Sequence, residues 1–322
     1  MSLTIGVAVV AFDRPKHLQV CLDRLENSYS AVGCRLPTYV FQDKPEVRVS
    51  RAWKRANDLA MRYRHVNLLV RDTHCGVTNI TLSISDMLTR FDAAIILEDD
   101  VWVSRDYIEF LVECLRRYVD RADIFCVCAD QLQLPELIAQ REHTMFARFF
   151  LRRGFAVWRR AWTNYNPQCP EWDQMGTNLA LSKHFNIFGR TSLSDLLAKA
   201  FHSREPAYDL RWYYNIVAAK AFSLMPTRSL IFNGGYTGGI HLGSPLYPRP
   251  PAWERTASRL GFRSMLYRRF YTGTARLAGS QQALQGREAL NSLRPIIHSC
   301  YENREAQSQS YATLLKRYQP RS

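Results

Sequence analysis

Short apolar runs alternate with longer stretches of helical period along the first 130 residues. Runs rich in β-branched and aromatic residues occupy 4–12, 37–42, 66–70, 93–97 and 124–129. Between them, 15–28, 47–64, 78–90 and 104–118 space their apolar residues three and four apart, as one face of a helix requires. Strands alternating with helices of this length predict βαβ units and a mostly parallel α/β sheet. Beyond residue 130 the alternation weakens, with loop-like stretches at 164–176 and 233–251. That half is expected to form a second lobe built against the sheet, and the polar tail 280–322 to be peripheral.

In an open sheet of this kind ligands bind in the crevice beyond the carboxyl ends of the strands. No GxGxxG and no GxxxxGK[ST] follows the first strand, so neither a dinucleotide fold nor a P-loop is indicated. Instead AAIILEDDVWVS, residues 93–104, sets Glu98, Asp99 and Asp100 directly behind an apolar strand. Acids often cap a following helix, but Ser104 as N-cap and Asp106 as first-turn acid are better placed for that duty here. Adjacent ionised carboxylates in a cleft are tolerable chiefly beside a cation. A hard divalent ion, Mg²⁺ or Mn²⁺, is the natural choice, since it keeps open positions for phosphate oxygens.

Composition changes this picture little. The 322 residues are 47% hydrophobic and 12% aromatic, enough for a large core. No apolar run approaches the roughly 20 residues of a membrane-spanning helix, and residues 1–12 read as a core strand rather than a leader. A cytoplasmic setting is expected. The eight cysteines are scattered; Cys126 and Cys128 share a strand face but supply no CxxC, so reduced thiols are expected rather than a zinc site.

The net charge of +14 does add something, for it calls for an acidic partner: nucleotide phosphates, an anionic membrane surface or nucleic acid. The densest segment, 249–276, carries seven arginines and one glutamate, Glu254. Arg255, Arg259 and Arg263 fall on one side of a helix, either a solvated face or a contact with anionic lipid. Nucleic acid is the weaker candidate, because the acids cluster at the predicted crevice and would repel phosphate without a metal.

These motifs resemble a known family. VVAFDRPKHLQVCLDRLE, IILEDD, VWVSRDYIEFL and CVCAD, followed by YDLRWYYNIVAAKAFSLMPTRSLIFNGGYTGGIHLG, together resemble the GT-A fold glycosyltransferases related to N-acetylglucosaminyltransferase I and its bacterial sugar-transferase relatives. The likeness covers residues 4 to about 243. It implies a GT-A fold, a Rossmann-like, mostly parallel sheet flanked by helices, with a second acceptor-side lobe. Residues 1–130 would be the nucleotide-sugar half, 131–248 the acceptor-binding and catalytic half of the same domain, and 249–322 a basic helical extension.

The resemblance also implies roles. Val10, Ala11 and Phe12 would contact the nucleotide, with Arg14 reaching the diphosphate. Asp43 would read the uracil ring, Glu98 touch the donor sugar, Asp99 lie near ribose and metal, and Asp100 ligate Mn²⁺ or Mg²⁺. The family's histidine position falls near Val77, with His74 the neighbouring imidazole. FFLRRGFAVWRRAW resembles the turn and helix lining the sugar and acceptor pocket, with Gly154 allowing close backbone approach; core packing is the plainer reading of Phe155, Val157 and Trp158. His241, in the glycine loop, would touch diphosphate or metal.

The implied reaction is an inverting, metal-dependent transfer from a nucleotide donor, expected to be a UDP-sugar, to a glycan or lipid-linked acceptor. Inversion needs a base for the acceptor hydroxyl; Asp209 is the aligned carboxylate, with Glu205 and Asp173 as rivals. Two other readings compete. A sugar nucleotidyltransferase would carry a glycine-rich signature after the first strand, which AFDRPKHL lacks, and a non-catalytic polyanion binder would explain the charge alone.

Overall fold

A computed structural model describes residues 3–131, 144–174, 178–186 and 193–234. His241 and the basic segment 249–276 lie outside them.

The first half folds as the alternation predicts. Strands β1 (Ile5–Ala11), β2 (Thr38–Gln42), β3 (Val66–Val70) and β4 (Ala93–Glu98) run parallel, linked by α1 (Pro15–Val32), α2 (Arg51–Arg62) and α3 (Thr78–Arg90). Pro15 opens α1 where its missing N–H costs nothing, and Gly33, at φ 67°, closes it by bonding the Tyr29 carbonyl. The helix expected over 47–64 starts only at Arg51. Ser50 is extended there and its Oγ accepts the Trp53 N–H at 2.9 Å, so the chain before it stays out of the helix.

Helix α4 (Tyr107–Arg117) corrects a further expectation, since Ser104 does not cap it. Its N–H instead bonds the Leu230 carbonyl at 2.8 Å, continuing a two-stranded ribbon of β5 (Val101–Val103) and β10 (Ile231–Asn233). The first turn of α4 is capped from α1: Ser28 Oγ accepts the Ile108 N–H at 3.0 Å and donates to the Arg105 carbonyl at 2.9 Å.

The second half completes the sheet instead of standing against it. With β6 (Ile124–Cys128), β7 (Thr144–Ala147), β8 (Phe155–Trp158) and β9 (Phe222–Pro226), the sheet has eight strands in the order β3-β2-β1-β4-β8-β6-β9-β7. Only β8 and β7 run antiparallel to the rest. Phe155, Val157 and Trp158 are buried in β8 and serve the core. Among the described residues the rest of the second half is helices α5 (Arg159–Trp162), α6 (Leu179–Phe185), α7 (Leu193–His202) and α8 (Tyr208–Ala218), with a 3₁₀ turn at Trp172–Gln174. Aromatic rings tie this layer together and to the sheet: Phe185 of α6 stacks on Tyr213 of α8 at 4.9 Å, and Trp212 of α8 on Phe125 of β6 at 5.7 Å.

Candidate functional site

The chain leaves β1 toward β2 and β3 on one side, then crosses back to place β4 on the other side of β1. Connections from β1 and β4 therefore diverge, which opens a crevice at their carboxyl ends. Register fixes what faces it. Val10 lies opposite Glu98, and the Asp99 N–H bonds the Val10 carbonyl at 3.0 Å. Thus Arg14, just past β1, stands beside Asp99 and Asp100, just past β4.

Arg14 clasps both acids. Its Nη1 donates to Asp100 Oδ2 at 2.8 Å, its Nε to Asp99 Oδ2 at 3.3 Å and its Nη2 to Asp99 Oδ1. Burial opposes the guanidinium charge, yet Asp99 and Asp100 together hold its pKa above the ordinary arginine value. The same burial pushes the Asp99 carboxyl up, against Arg14, and raises Glu98, against Arg152. The cation that makes three adjacent acids tolerable is, in this arrangement, supplied by the chain itself.

Asp99 is the more enclosed of the two acids: its side chain is 2% exposed and both oxygens accept from Arg14, which orients the guanidinium. Asp100 is more open, at 17%, and its bond to Arg14 uses Oδ2. Among the described residues no group of three His, Cys, Asp or Glu side chains is assembled to hold a metal. A Mg²⁺ or Mn²⁺ ion still fits at Asp100, because such ions bind through one or two carboxylates plus substrate phosphates rather than in a protein cage.

Asp43 is tied to the loop after β3. Its Oδ1 accepts the N–H groups of Lys44 (2.9 Å) and Cys75 (2.8 Å), its Oδ2 accepts the Gly76 N–H (2.8 Å), and His74 Nδ1 lies 3.2 Å from Oδ2. A carboxylate has about four lone-pair positions, and three of them take backbone N–H groups, so Asp43 joins the end of β2 to the loop after β3. The carbonyls at the end of β1 are also consumed: Val10 by Asp99, Ala11 by the Asp43 N–H at 2.9 Å and Phe12 by Gln42 Nε2 at 2.9 Å. The Phe12 ring lies 6.2 Å from that of His74.

On the other side, the second half brings three charged groups that the sequence had not singled out, Asp130, Arg152 and Arg153. Arg152 and Arg153 follow one another just before Gly154, whose φ of 63° turns the chain into β8. Arg152 Nη1 pairs with Asp209 Oδ2 at 3.7 Å, and Arg153 Nε with Asp130 Oδ2 at 2.8 Å. Arg152, Asp100, Arg14 and Asp209 all act electrostatically on Glu98. Asp209 sits in the first turn of α8, which the chain enters through Ala207 at φ 31°. A carboxylate there is favoured by the helix dipole. The rival bases Glu205 and Asp173 are exposed. The visible signal for the arginines was a double charge inside the apolar run FFLRRGFAVW.

His17 and Gly234 close the floor. The Gly234 N–H bonds the Asp100 carbonyl at 2.7 Å, its own carbonyl lies 3.2 Å from His17 Nε2, and a Cβ at Gly234 would strike the Trp102 ring at 2.4 Å. Gly234, the first residue of the glycine-rich stretch, is thus bonded to the backbone of Asp100.

No protein-family pattern matches the chain, and no curated protein sequence does. Solved structures do. The mannosyltransferase PcManGT from Pyrobaculum calidifontis, in complex with GDP-Man and Mn²⁺, aligns over 100% of this chain and 89% of its own at 11% identity, TM-score 0.39. GalNAc-T7 with UDP, GalNAc and Mn²⁺ aligns over 94% of this chain at 11% identity, TM-score 0.43, and the chain spans 57% of its length. A CMP:2-keto-3-deoxy-manno-octonic acid synthetase complexed with CTP aligns over 55% of this chain and 84% of its own at 14% identity, TM-score 0.34. Likenesses at this level include more than one activity and decide none, so function must be read from the cleft.

Proposed function

We propose that the chain is an inverting glycosyltransferase that binds a nucleotide sugar at the β1–β4 crevice. The observation that carries this reading is the crevice itself: Arg14 bridging Asp99 and Asp100 at the switch point, with Glu98 at the end of β4 and Arg152 and Asp209 brought near it from the second half. One wall suits a diphosphate and the other suits an acceptor hydroxyl.

In the proposed reaction the Phe12 and His74 rings flank the base, and UDP is the nucleotide tested first. Arg14 offers its remaining N–H groups to the diphosphate, and His241 is a further candidate for that contact. Asp100 is the protein ligand for Mn²⁺ or Mg²⁺. Such an ion, when bound with substrate, stabilises the negative charge that develops on the departing diphosphate. Glu98 accepts a hydrogen bond from a donor-sugar hydroxyl. Asp209, paired with Arg152 in the first turn of α8, takes the proton of the acceptor hydroxyl. The acceptor oxygen then bonds the anomeric carbon as the sugar–phosphate bond breaks, its electron pair leaving on the nucleoside diphosphate. Attack from the opposite face inverts the anomeric centre.

A screen of UDP-, GDP- and CMP-sugars by thermal shift with Mn²⁺ tests the reading. A ligand at 100 times its dissociation constant stabilises by about 2.7 kcal/mol. A UDP-sugar should give such a shift in the wild type, and Asp100→Ala should remove its dependence on Mn²⁺ while the ligand-free melting temperature stays close to wild type. No shift with any nucleotide sugar, or pyrophosphate release from a nucleoside triphosphate and a sugar 1-phosphate, would replace the transferase by the nucleotidyltransferase.

A further inference from the structure

The rim of the crevice carries a second feature. Every exposed large apolar side chain among the described residues falls between positions 47 and 82. Four of these cluster at the carboxyl ends of β2 and β3: Val47 (95% exposed), Val49 (43%), Val70 (42%) and Val77 (37%). Residues 44–55 add five basic side chains, Lys44, Arg48, Arg51, Lys54 and Arg55, against one acid, Glu46. The basic five are exposed, and among the described residues none of Arg48, Arg51, Lys54 and Arg55 has an ion-pair partner. Elsewhere arginines are mostly engaged, as Arg71 is by Asp86 and Arg159 by Asp92.

This loop is built, not frayed. Asp43 anchors its start and Ser50 caps the helix at its end, while Trp53 Nε1 donates to the Asp43 carbonyl at 2.7 Å. It is also continuous with the crevice. Lys44 Nζ donates to the Asp72 carbonyl at 2.6 Å, His74 Nδ1 to the Lys44 carbonyl at 2.8 Å, and the Phe12 ring faces His74. The loops after β1, β2 and β3 thus form one tied edge, from Arg14 to the tip at Val47.

We propose that this rim, residues 44–55 with Val70 and Val77, is a docking surface for an anionic lipid bilayer, which sets the crevice mouth at the membrane. Exposed valines flanked by arginine and lysine match a bilayer interface, whose headgroups take the charges and whose acyl boundary takes the apolar tips. A polyphosphate chain offers the first and not the second. The surface is independent of the reaction in the crevice and is a different stretch of sequence from the basic segment 249–276.

Co-sedimentation of the full chain tests it, using vesicles of phosphatidylcholine alone and of phosphatidylcholine mixed equally with phosphatidylglycerol. Binding should require phosphatidylglycerol. Each basic residue near a charged surface is worth about fivefold in partitioning, so Arg48→Ala, Arg51→Ala, Lys54→Ala and Arg55→Ala combined should lower it on the order of 10³-fold. Val47→Asp with Val49→Asp should also weaken binding, although all arginines remain, and both variants should melt like wild type. The proposal fails if both vesicle types bind equally. It fails if only Arg255→Ala, Arg259→Ala and Arg263→Ala abolish binding. It fails too if the valine variant binds lipid as wild type does while the basic variant loses heparin, which would give the rim to a soluble polyanion.

Discussion

Arg14 is the residue on which the crevice turns. Its guanidinium is the cation facing Asp99, whose side chain is 2% exposed. Taking away one partner of a buried pair leaves an uncompensated charge and costs about 3–5 kcal/mol. Arg14 is itself 29% exposed, so solvent screening places Arg14→Gln at the low end, about 3 kcal/mol, measurable by urea unfolding in metal-free buffer. A cost below about 1 kcal/mol would mean that the clasp is loose and Asp99 reaches other donors. Asp209 makes the opposite kind of prediction. Asp209→Asn keeps the shape and removes the basic lone pair, so kcat should fall about 10²- to 10⁴-fold with donor affinity unchanged. Glu205→Gln, on an exposed turn, should cost much less. If the two variants exchange their effects in steady-state kinetics, the base has been misplaced. The acids at 98–100 were legible because three carboxylates behind an apolar strand are a local signal. The employment of Asp43 and Asp99 was not, because it depends on which donors the fold brings to each oxygen.

At the scale of elements, what could be read was whatever local period encodes. The five strands expected in the first 130 residues and α3 fall within a residue or so of their expected bounds, while β9 was not foreseen. Helix starts moved where a single hydrogen bond decided them, at Ser50 for α2 and at Ser104 for α4. The ribbon of β5 and β10 pairs residues more than a hundred positions apart, and no window of sequence contains that pairing. Gly154 belongs to both levels. Its φ of 63° calls for glycine locally, and a Cβ there would also sit 3.0 Å from Ile231 Cγ2 and 3.3 Å from the Tyr107 ring. Gly33, at φ 67°, has nothing within 4 Å of an added Cβ. Left-handed backbone costs a residue other than glycine about 1–2 kcal/mol, and crowding adds about 1–3 kcal/mol. Gly154→Ala should therefore destabilise by at least about 1 kcal/mol more than Gly33→Ala in chemical denaturation. Equal losses would show that Ile231 and Tyr107 move aside freely.

At the scale of the molecule, the order of strands makes a boundary after residue 130 a division of sequence and not of structure. β6 ends at Cys128, yet its partners are β8 and β9, both from beyond residue 130. β4, which ends in the acids of the crevice, has β8 as its second neighbour. A fragment of residues 1–130 would leave β6 without a partner and β4 as an open, apolar edge, and such an edge recruits other chains. Its core would be open as well, since Phe125 would lose Trp212 and Trp158 would no longer donate from Nε1 to the Leu115 carbonyl at 3.0 Å. The whole chain should accordingly lose near- and far-ultraviolet circular dichroism together in one thermal transition across 3–131 and 144–234, while the fragment aggregates or melts without cooperativity. A soluble, cooperatively melting fragment that binds a nucleotide as the full chain does would mean that the first half folds alone and that β8 joins a finished sheet. The acids of the crevice would then owe their placement to β1 and β4 only, and Arg152 and Asp209 would have been added to a site already made.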